Sequence, residues 1–340
     1  MTISDVAETQ HPVRRRELVS ALRLWAVVAA FVAVAVTRSV HLGIPFRDPH
    51  GEYFSRRFAL SVGAFLLFVL VDGGVRASRK LDPASVARAI RERWDPRRLA
   101  LAAAALLAYD VTYFAYHNLK SWDAFNAPRD AMLERWDRWL FAGHSPAVLL
   151  HDLLGTGINA KFVLLWYQAF ALLALLAFPA AVALARSTRD AYVGIASLCW
   201  VWILGTATYY LIPSLGPFHV APQDFASLPA MQLQRTQATY LAERAHLLAH
   251  PGAHDAFAQV SAFASLHVGV TATILGLAWW YRMKRTTVVL GVFLAGTMVA
   301  TVYLGWHFFV DLPAGLLIAV LAWVLGPLTI GVNPFRAAAP

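Results

Sequence analysis

Two stretches decide the fold: Phe162–Ala185, reading FVLLWYQAFALLALLAFPAAVALA, and Ala191–Ile212, reading AYVGIASLCWVWILGTATYYLI. Neither contains an Asp, Glu, Lys or Arg. Each exceeds the roughly 20 apolar residues that a helix needs to cross a bilayer. Working outward, six further runs qualify, at 24–44, 58–75, 99–117, 260–281, 286–305 and 308–331; the run at 58–75 is the shortest and carries Asp72. The expected fold is therefore all-α, a polytopic membrane helix bundle of about eight spans. Composition agrees. Of 340 residues, 59% are apolar and 14% charged, against about 45–50% and about 25% in soluble domains. Mean hydropathy is +0.53. This excludes a soluble globular enzyme, a disordered chain and a small disulfide scaffold. A single cysteine, Cys199, allows no intrachain disulfide.

The net charge of +9 is read as basic loops beside anionic lipid rather than as a nucleic-acid surface. With the N-terminus inside, 18 of the 29 Lys and Arg fall on cytoplasmic segments: Arg14, Arg15, Arg16, Arg23, the block Arg76–Arg98, Arg186, Arg189, Arg282, Lys284, Arg285 and Arg336. An even number of spans then puts both termini in the cytoplasm. Polar and mixed residues precede the first run, which reads as a retained anchor rather than a cleaved signal. All the histidines except His11 fall at or near the extracytoplasmic face, so the polar chemistry is expected there. The expected location is a cell membrane.

Two long outer loops follow. In the first, Met132, Trp136, Trp139 and Leu140 recur at helical spacing, with Arg129, Asp130, Glu134, Arg135, Asp137 and Arg138 as the polar side. This predicts a helix in the headgroup layer; Ser145-Pro146 opens a second short helix. Interfacial helices are thus expected within 128–155, either covering the core or forming a substrate-side lid. The second loop, 213–259, opens with Pro213-Ser214-Leu215-Gly216-Pro217-Phe218-His219, which ends the fifth span sharply. His246, His250 and His254 recur every four residues, but Pro251 interrupts them and no carboxylate completes a metal site. No metal and no cofactor is expected.

The residues that carry chemistry lie where spans six and eight begin. Ser265-Leu266-His267 opens span six, and Ala300-Thr301-Val302-Tyr303-Leu304-Gly305-Trp306-His307-Phe308-Phe309-Val310-Asp311 precedes span eight. His307 and Asp311 are four apart, a spacing that shares one helix face. An Asp there can hold one imidazole nitrogen and leave the other as a lone pair, while a second histidine donates a proton to a leaving group. Asp110 stands inside span three with Tyr113 and His117 at i+3 and i+7. It is read either as a helix–helix hydrogen-bond partner or as a polar group for a polyol headgroup.

These residues resemble the type-2 phosphatidic acid phosphatase superfamily, with strong motif evidence over 210–315. Ala264-Ser265-Leu266-His267 is similar to its second signature, PSGH, and Ala300–Asp311 to its third, SRxxxxxHxxxD. The resemblance implies a six-span catalytic core at 98–332, after an N-terminal segment and two accessory spans at 1–97 and before a tail at 333–340. It implies His307 as the nucleophile forming a phosphohistidine, Asp311 as its orienting partner and His267 as acid–base. The first signature, KxxxxxxRP, has no counterpart, since Thr206–His219 holds neither Lys nor Arg, and Ala300-Thr301 replaces the Ser-Arg pair. Tyr209–Pro217 with Thr301–Leu304 looks more like the inositol phosphorylceramide synthase branch, which moves a phosphoinositol headgroup between lipids.

The resulting expectation is a metal-independent enzyme that transfers a phospho-headgroup at the outer leaflet. Ser265, Pro217, His219, Tyr303, Asp110 and Arg129 are its candidate substrate-binding residues. Its partners are a membrane lipid substrate and, as an acceptor left open, a polyol or a second lipid. Two alternatives remain: a phosphatase for phosphatidate or polyprenyl phosphate, and a transporter of a lipid-linked anion.

Overall fold

The computed structural model describes residues 3–77 and 82–335, with side chains from Arg15 onward. Of the basic residues placed in the cytoplasm, Arg79, Lys80 and Arg336 lie outside the described residues, as do the side chains of Arg14 and His11 and the tail from 336. The described residues form thirteen α-helices and no strand. Seven helices are long and apolar enough to cross a membrane: α1 (Ile3–Leu42, from Arg15), α2 (Ser55–Arg76), α4 (Pro96–Trp122), α7 (Ile158–Leu184), α8 (Thr188–Leu211), α12 (Lys284–Tyr303) and α13 (Asp311–Ile330). The starts follow local chemistry. Asp95 caps α4 by accepting from the Arg98 N–H with Pro96 in the first turn, and Ser187 caps α8 by accepting from the Asp190 N–H.

The run at 260–281 is corrected. Its helix, α11 (Leu266–Trp280), has 15 residues, because 260–265 forms a loop tied to neighbouring backbone. Ala262 N–H donates to the Ser214 carbonyl (2.9 Å), and Phe263 N–H to the Ser214 hydroxyl (2.8 Å). Fifteen residues rise about 22 Å, short of the roughly 30 Å hydrocarbon core. The first turn of α11, with His267, is therefore recessed below the bundle's end.

α8 is the central post, packing against α1, α4, α7, α11 and α13. Small residues allow the approach: a Cβ on Gly326 would collide with Ser197 Oγ, and one on Gly205 would meet Leu266 Cδ2 at 2.5 Å. Outward faces of α2 and α7 expose Leu66, Leu67, Leu70, Phe162, Leu165 and Leu172, a belt suited to acyl chains.

Alternating helices give the bundle two different ends. One gathers arginines that close helix termini: Arg93 and Arg98 donate to the Ala185 carbonyl (2.7 and 3.1 Å), and Arg189 to that of Gly331 (2.7 Å). Between α2 and α4 lies the short helix α3 (Pro83–Arg93). The opposite, histidine end carries α5 (Asp130–Leu140), α6 (Pro146–Leu154), α9 (Pro217–Val220) and α10 (Gln232–Ala249). Its loops are knitted together: Ala258 N–H donates to Ser121 Oγ (2.9 Å) and the Ser261 hydroxyl to Asp123 (3.0 Å).

Candidate active site

α12 stops at Tyr303 and α13 starts at Asp311, so the connection turns back within seven residues. Gly305, at φ +77°, makes the reversal. The N–H groups of Trp306 and His307 both donate to the Thr301 carbonyl (3.1 and 3.2 Å). Thr301 Oγ1 donates to the Met298 carbonyl (3.0 Å), so this residue closes the end of α12.

His307 and Asp311 are not on one helix, as their spacing suggested. His307 lies in the turn, and Asp311 is the first residue of α13. The spacing works because Asp311 Oδ2 also accepts the Phe308 N–H (3.1 Å), folding the turn back onto the carboxylate. The same oxygen lies 3.1 Å from His307 Nδ1. His267 enters from the first turn of α11, which is capped by Ser265; the Ser265 N–H donates to the Asp311 carbonyl (3.1 Å). Its Nδ1 is 3.3 Å from His307 Nε2.

With Asp311 as the acceptor, one arrangement of hydrogens satisfies the row. Asp311 accepts, so His307 carries its hydrogen on Nδ1 and presents a lone pair at Nε2. The hydrogen between the rings then sits on His267 Nδ1. A nitrogen lone pair and an N–H donor thus lie within 3.3 Å of each other. Aromatic rings wall the spot. His267 stacks on Tyr167 at 4.6 Å and lies 4.3 Å from Phe170, and Trp306 lies parallel to Tyr167 at 6.0 Å.

Helix α5 holds the site from above in an orientation the sequence did not suggest. Asp130 and Asp137 were expected on its polar outer side, yet both are buried while Trp136, Trp139 and Leu140 are exposed. The reason is backbone chemistry, since loop N–H groups inside the protein need acceptors. Asp137 accepts from Phe309 N–H (2.6 Å) and Val310 N–H (3.0 Å); Asp130 accepts from Leu215 N–H (2.8 Å) and Gly216 N–H (2.9 Å). Burial pushes the Asp137 carboxyl up to about 7, partly offset by its two N–H donors and reinforced by the charge of Asp311. Asp130 is likewise raised by burial. The two loops also touch directly: Phe218 N–H donates to the Gly305 carbonyl (3.1 Å), and a Cβ on Gly216 (φ +112°) would meet the Trp306 carbonyl at 2.8 Å.

The other expected residues are placed as follows. Ser265 is buried as the cap of α11, and Pro217 is buried as the first residue of α9. Tyr303 gives its hydroxyl to the Gly155 carbonyl (2.6 Å), and its own carbonyl lies 2.8 Å from His151 Nε2, so it hangs α6 on the core. Asp110 faces α2, where it takes the Ser61 hydroxyl (3.1 Å) and lies 3.8 Å from Arg57. It is about 15 Å along α4 from Lys120. His219 and Arg129 are exposed. Of the histidine series, the rings of His246 and His250 lie 5.4 Å apart, and His246 pairs with Asp255 (3.1 Å). Among the described residues no group of three or more His, Cys, Asp or Glu is arranged to hold a metal.

One residue absent from the sequence reading belongs to this neighbourhood. Lys120, in the last turn of α4, has its ammonium 5.9 Å from the centre of the Tyr209 ring, whose hydroxyl lies 3.4 Å from that of Tyr116. Its signal was the continuation of the Asp110, Tyr113, His117 spacing by one more step of three.

A family model described as PAP2 superfamily matches residues 131–325, more than half of the chain and the whole span from α5 through most of α13. The chain belongs to the PAP2 superfamily. Membership supports an enzyme with a lipid phosphatase- or phosphotransferase-type function. Neither curated proteins nor solved structures gave a match.

Proposed function

We propose that the protein is a membrane-embedded phosphotransferase that moves a phospho-headgroup, of the inositol-phosphate type, from one lipid to an acceptor through a phosphohistidine on His307. The carrying observation is the single row Asp311, His307, His267, with separations of 3.1 and 3.3 Å. Asp311 orients the nucleophile and supports the imidazolium as it forms. His267 protonates the departing oxygen and then takes a proton from the acceptor hydroxyl. The absence of Lys and Arg from 206–219 and from 300–301 favours a phosphodiester, which carries one negative charge in the ground state, over a phosphomonoester dianion that demands stronger neutralisation. Similarity of Tyr209–Pro217 and Thr301–Leu304 to the inositol phosphorylceramide synthase branch points the same way. The recessed first turn of α11 suits a headgroup reached from the outer leaflet of a cell membrane, with both termini cytoplasmic.

The test is incubation of purified protein with phospholipids of defined headgroup, with and without inositol or a ceramide-like acceptor, followed by mass spectrometry. A new phosphodiester lipid supports transfer. Free phosphate from phosphatidate or polyprenyl phosphate, with no acceptor-dependent product, replaces the proposal with a lipid phosphatase.

A further inference from the structure

The row of histidines and Asp311 contains a nucleophile and an acid but no fixed cation. A phosphoryl group in flight spreads negative charge over its equatorial oxygens, and in a water-poor site that charge needs a preorganised positive partner. The arginines of the two loops at the histidine end do not supply one. Arg129, Arg135 and Arg235 are exposed. Arg138 is held by Glu134 (2.6 Å) and Asp224 (2.9 Å), and Arg244 donates to the Ala124 carbonyl (2.9 Å).

Lys120 is different. It stands on α4, before the matched segment begins at residue 131, at the histidine end of a spanning helix. Among the described residues its ammonium makes no hydrogen bond and no ion pair; its contact is the Tyr209 ring. The neighbouring carboxylate, Asp123, is taken by Asn126 (2.8 Å) and Ser261 (3.0 Å). The Tyr210 hydroxyl donates to the Leu119 carbonyl (2.8 Å), and the Ala264 N–H donates to Thr208 Oγ1 (3.1 Å), so the end of α4 and the start of α11, which carries His267, meet the same last turn of α8. Tyr209 and Tyr116 are buried and Lys120 itself is half-buried, so the cation borders a low-dielectric wall that screens its field less than water does. An ionisable group at this depth without a partner is costly unless function retains it.

Resting on the phosphohistidine reading, we propose that Lys120 is the phosphate-binding cation of this site, supplied by α4 in place of the basic residues missing from the 206–219 and 300–301 segments. As the bond from His307 Nε2 to phosphorus forms and the bond to the leaving oxygen breaks, the proton on His267 passes to that oxygen. The Lys120 ammonium stays protonated and faces the non-bridging oxygens throughout.

The experiment compares wild type with Lys120→Arg and Lys120→Gln, reading thermal stabilisation by inorganic phosphate and orthovanadate together with turnover. Phosphate and vanadate should raise the Tm of wild type and Lys120→Arg but not of Lys120→Gln. Turnover should fall at least tenfold in Lys120→Gln, chiefly in kcat, and be largely rescued in Lys120→Arg. The assignment is overturned if phosphate fails to stabilise wild type, if Lys120→Gln responds as wild type does, or if both variants lose turnover equally with anion binding intact. His307→Ala separates the two claims: turnover that survives it overturns the phosphohistidine reading, whereas turnover lost there and unchanged in Lys120→Gln overturns the lysine assignment alone.

Discussion

Asp130 and Asp137, seven residues apart on one face of α5, each receive two consecutive backbone N–H groups, one from the turn at Leu215–Gly216 and the other from the turn at Phe309–Val310. Two turns of helix thereby set the spacing between the loop that ends α8 and the loop that carries His307. The outward tryptophans of the same helix leave it free to sit in a headgroup layer.

Removing Asp130 leaves two buried N–H groups without an acceptor, at about 1–3 kcal/mol for each, and removing Asp137 leaves two part-buried ones. Asp137→Ala should lower Tm in detergent and reduce turnover more than binding, because the disturbed turn bears His307. Asp130→Ala should lower Tm similarly with a smaller effect on turnover. Equal Tm for both variants and wild type would remove the clamp from the account.

The raised carboxyl of Asp137 gives stability a direction with pH. Its native value of about 7 lies above the unfolded value of about 3.9, so the native state binds the extra proton between them. Stability from this group is present in full at the acid end and is lost as pH rises through about 7. Asp137→Asn cannot titrate. Thermal melts from pH 5 to 8 should therefore show the wild type losing ground against Asp137→Asn as pH rises; parallel curves would contradict the shift.

Orientation is checked by labelling. The one native cysteine, Cys199, is buried, so background is low. A cysteine introduced at the exposed His254, beside the histidine end, should react with an impermeant maleimide on intact cells. One at the exposed Lys284 should react only after permeabilisation. The reverse pattern would turn the topology over.

Turnover should survive EDTA, since the nucleophile and acid are both side chains of the chain itself. Loss on chelation with recovery on adding Zn²⁺ or Mg²⁺ would replace covalent catalysis by metal-assisted attack.

Sequence periodicity made the helices legible because a spanning segment must satisfy its own backbone and show lipid an apolar face. The Phe162–Ala185 and Ala191–Ile212 runs left no other reading. The start of α11 was misplaced because Val260–Ala264 is as apolar as a helix yet is fastened to Ser214, a tertiary bond that hydropathy does not register. His267, His307 and Asp311 were singled out through their spacing, and the packed bundle brings them into one row. That Asp130 and Asp137 face inward was not visible, since their partners are backbone groups more than eighty residues away. Lys120 was passed over because one lysine at a helix end is ordinarily a snorkelling anchor; its isolation among aromatic rings is a property of the packed bundle.

The central claim is that His307 becomes covalently bonded to phosphorus. Rapid-quench trapping with a labelled lipid donor should reveal an acid-labile, base-stable adduct on His307 in wild type, and none in His307→Ala. His267→Ala should still form it, about 10²–10⁴-fold more slowly, with the defect shrinking for a nitrophenyl leaving group. An adduct that persists in His307→Ala, or wild-type turnover with no adduct at any quench time, would contradict the account.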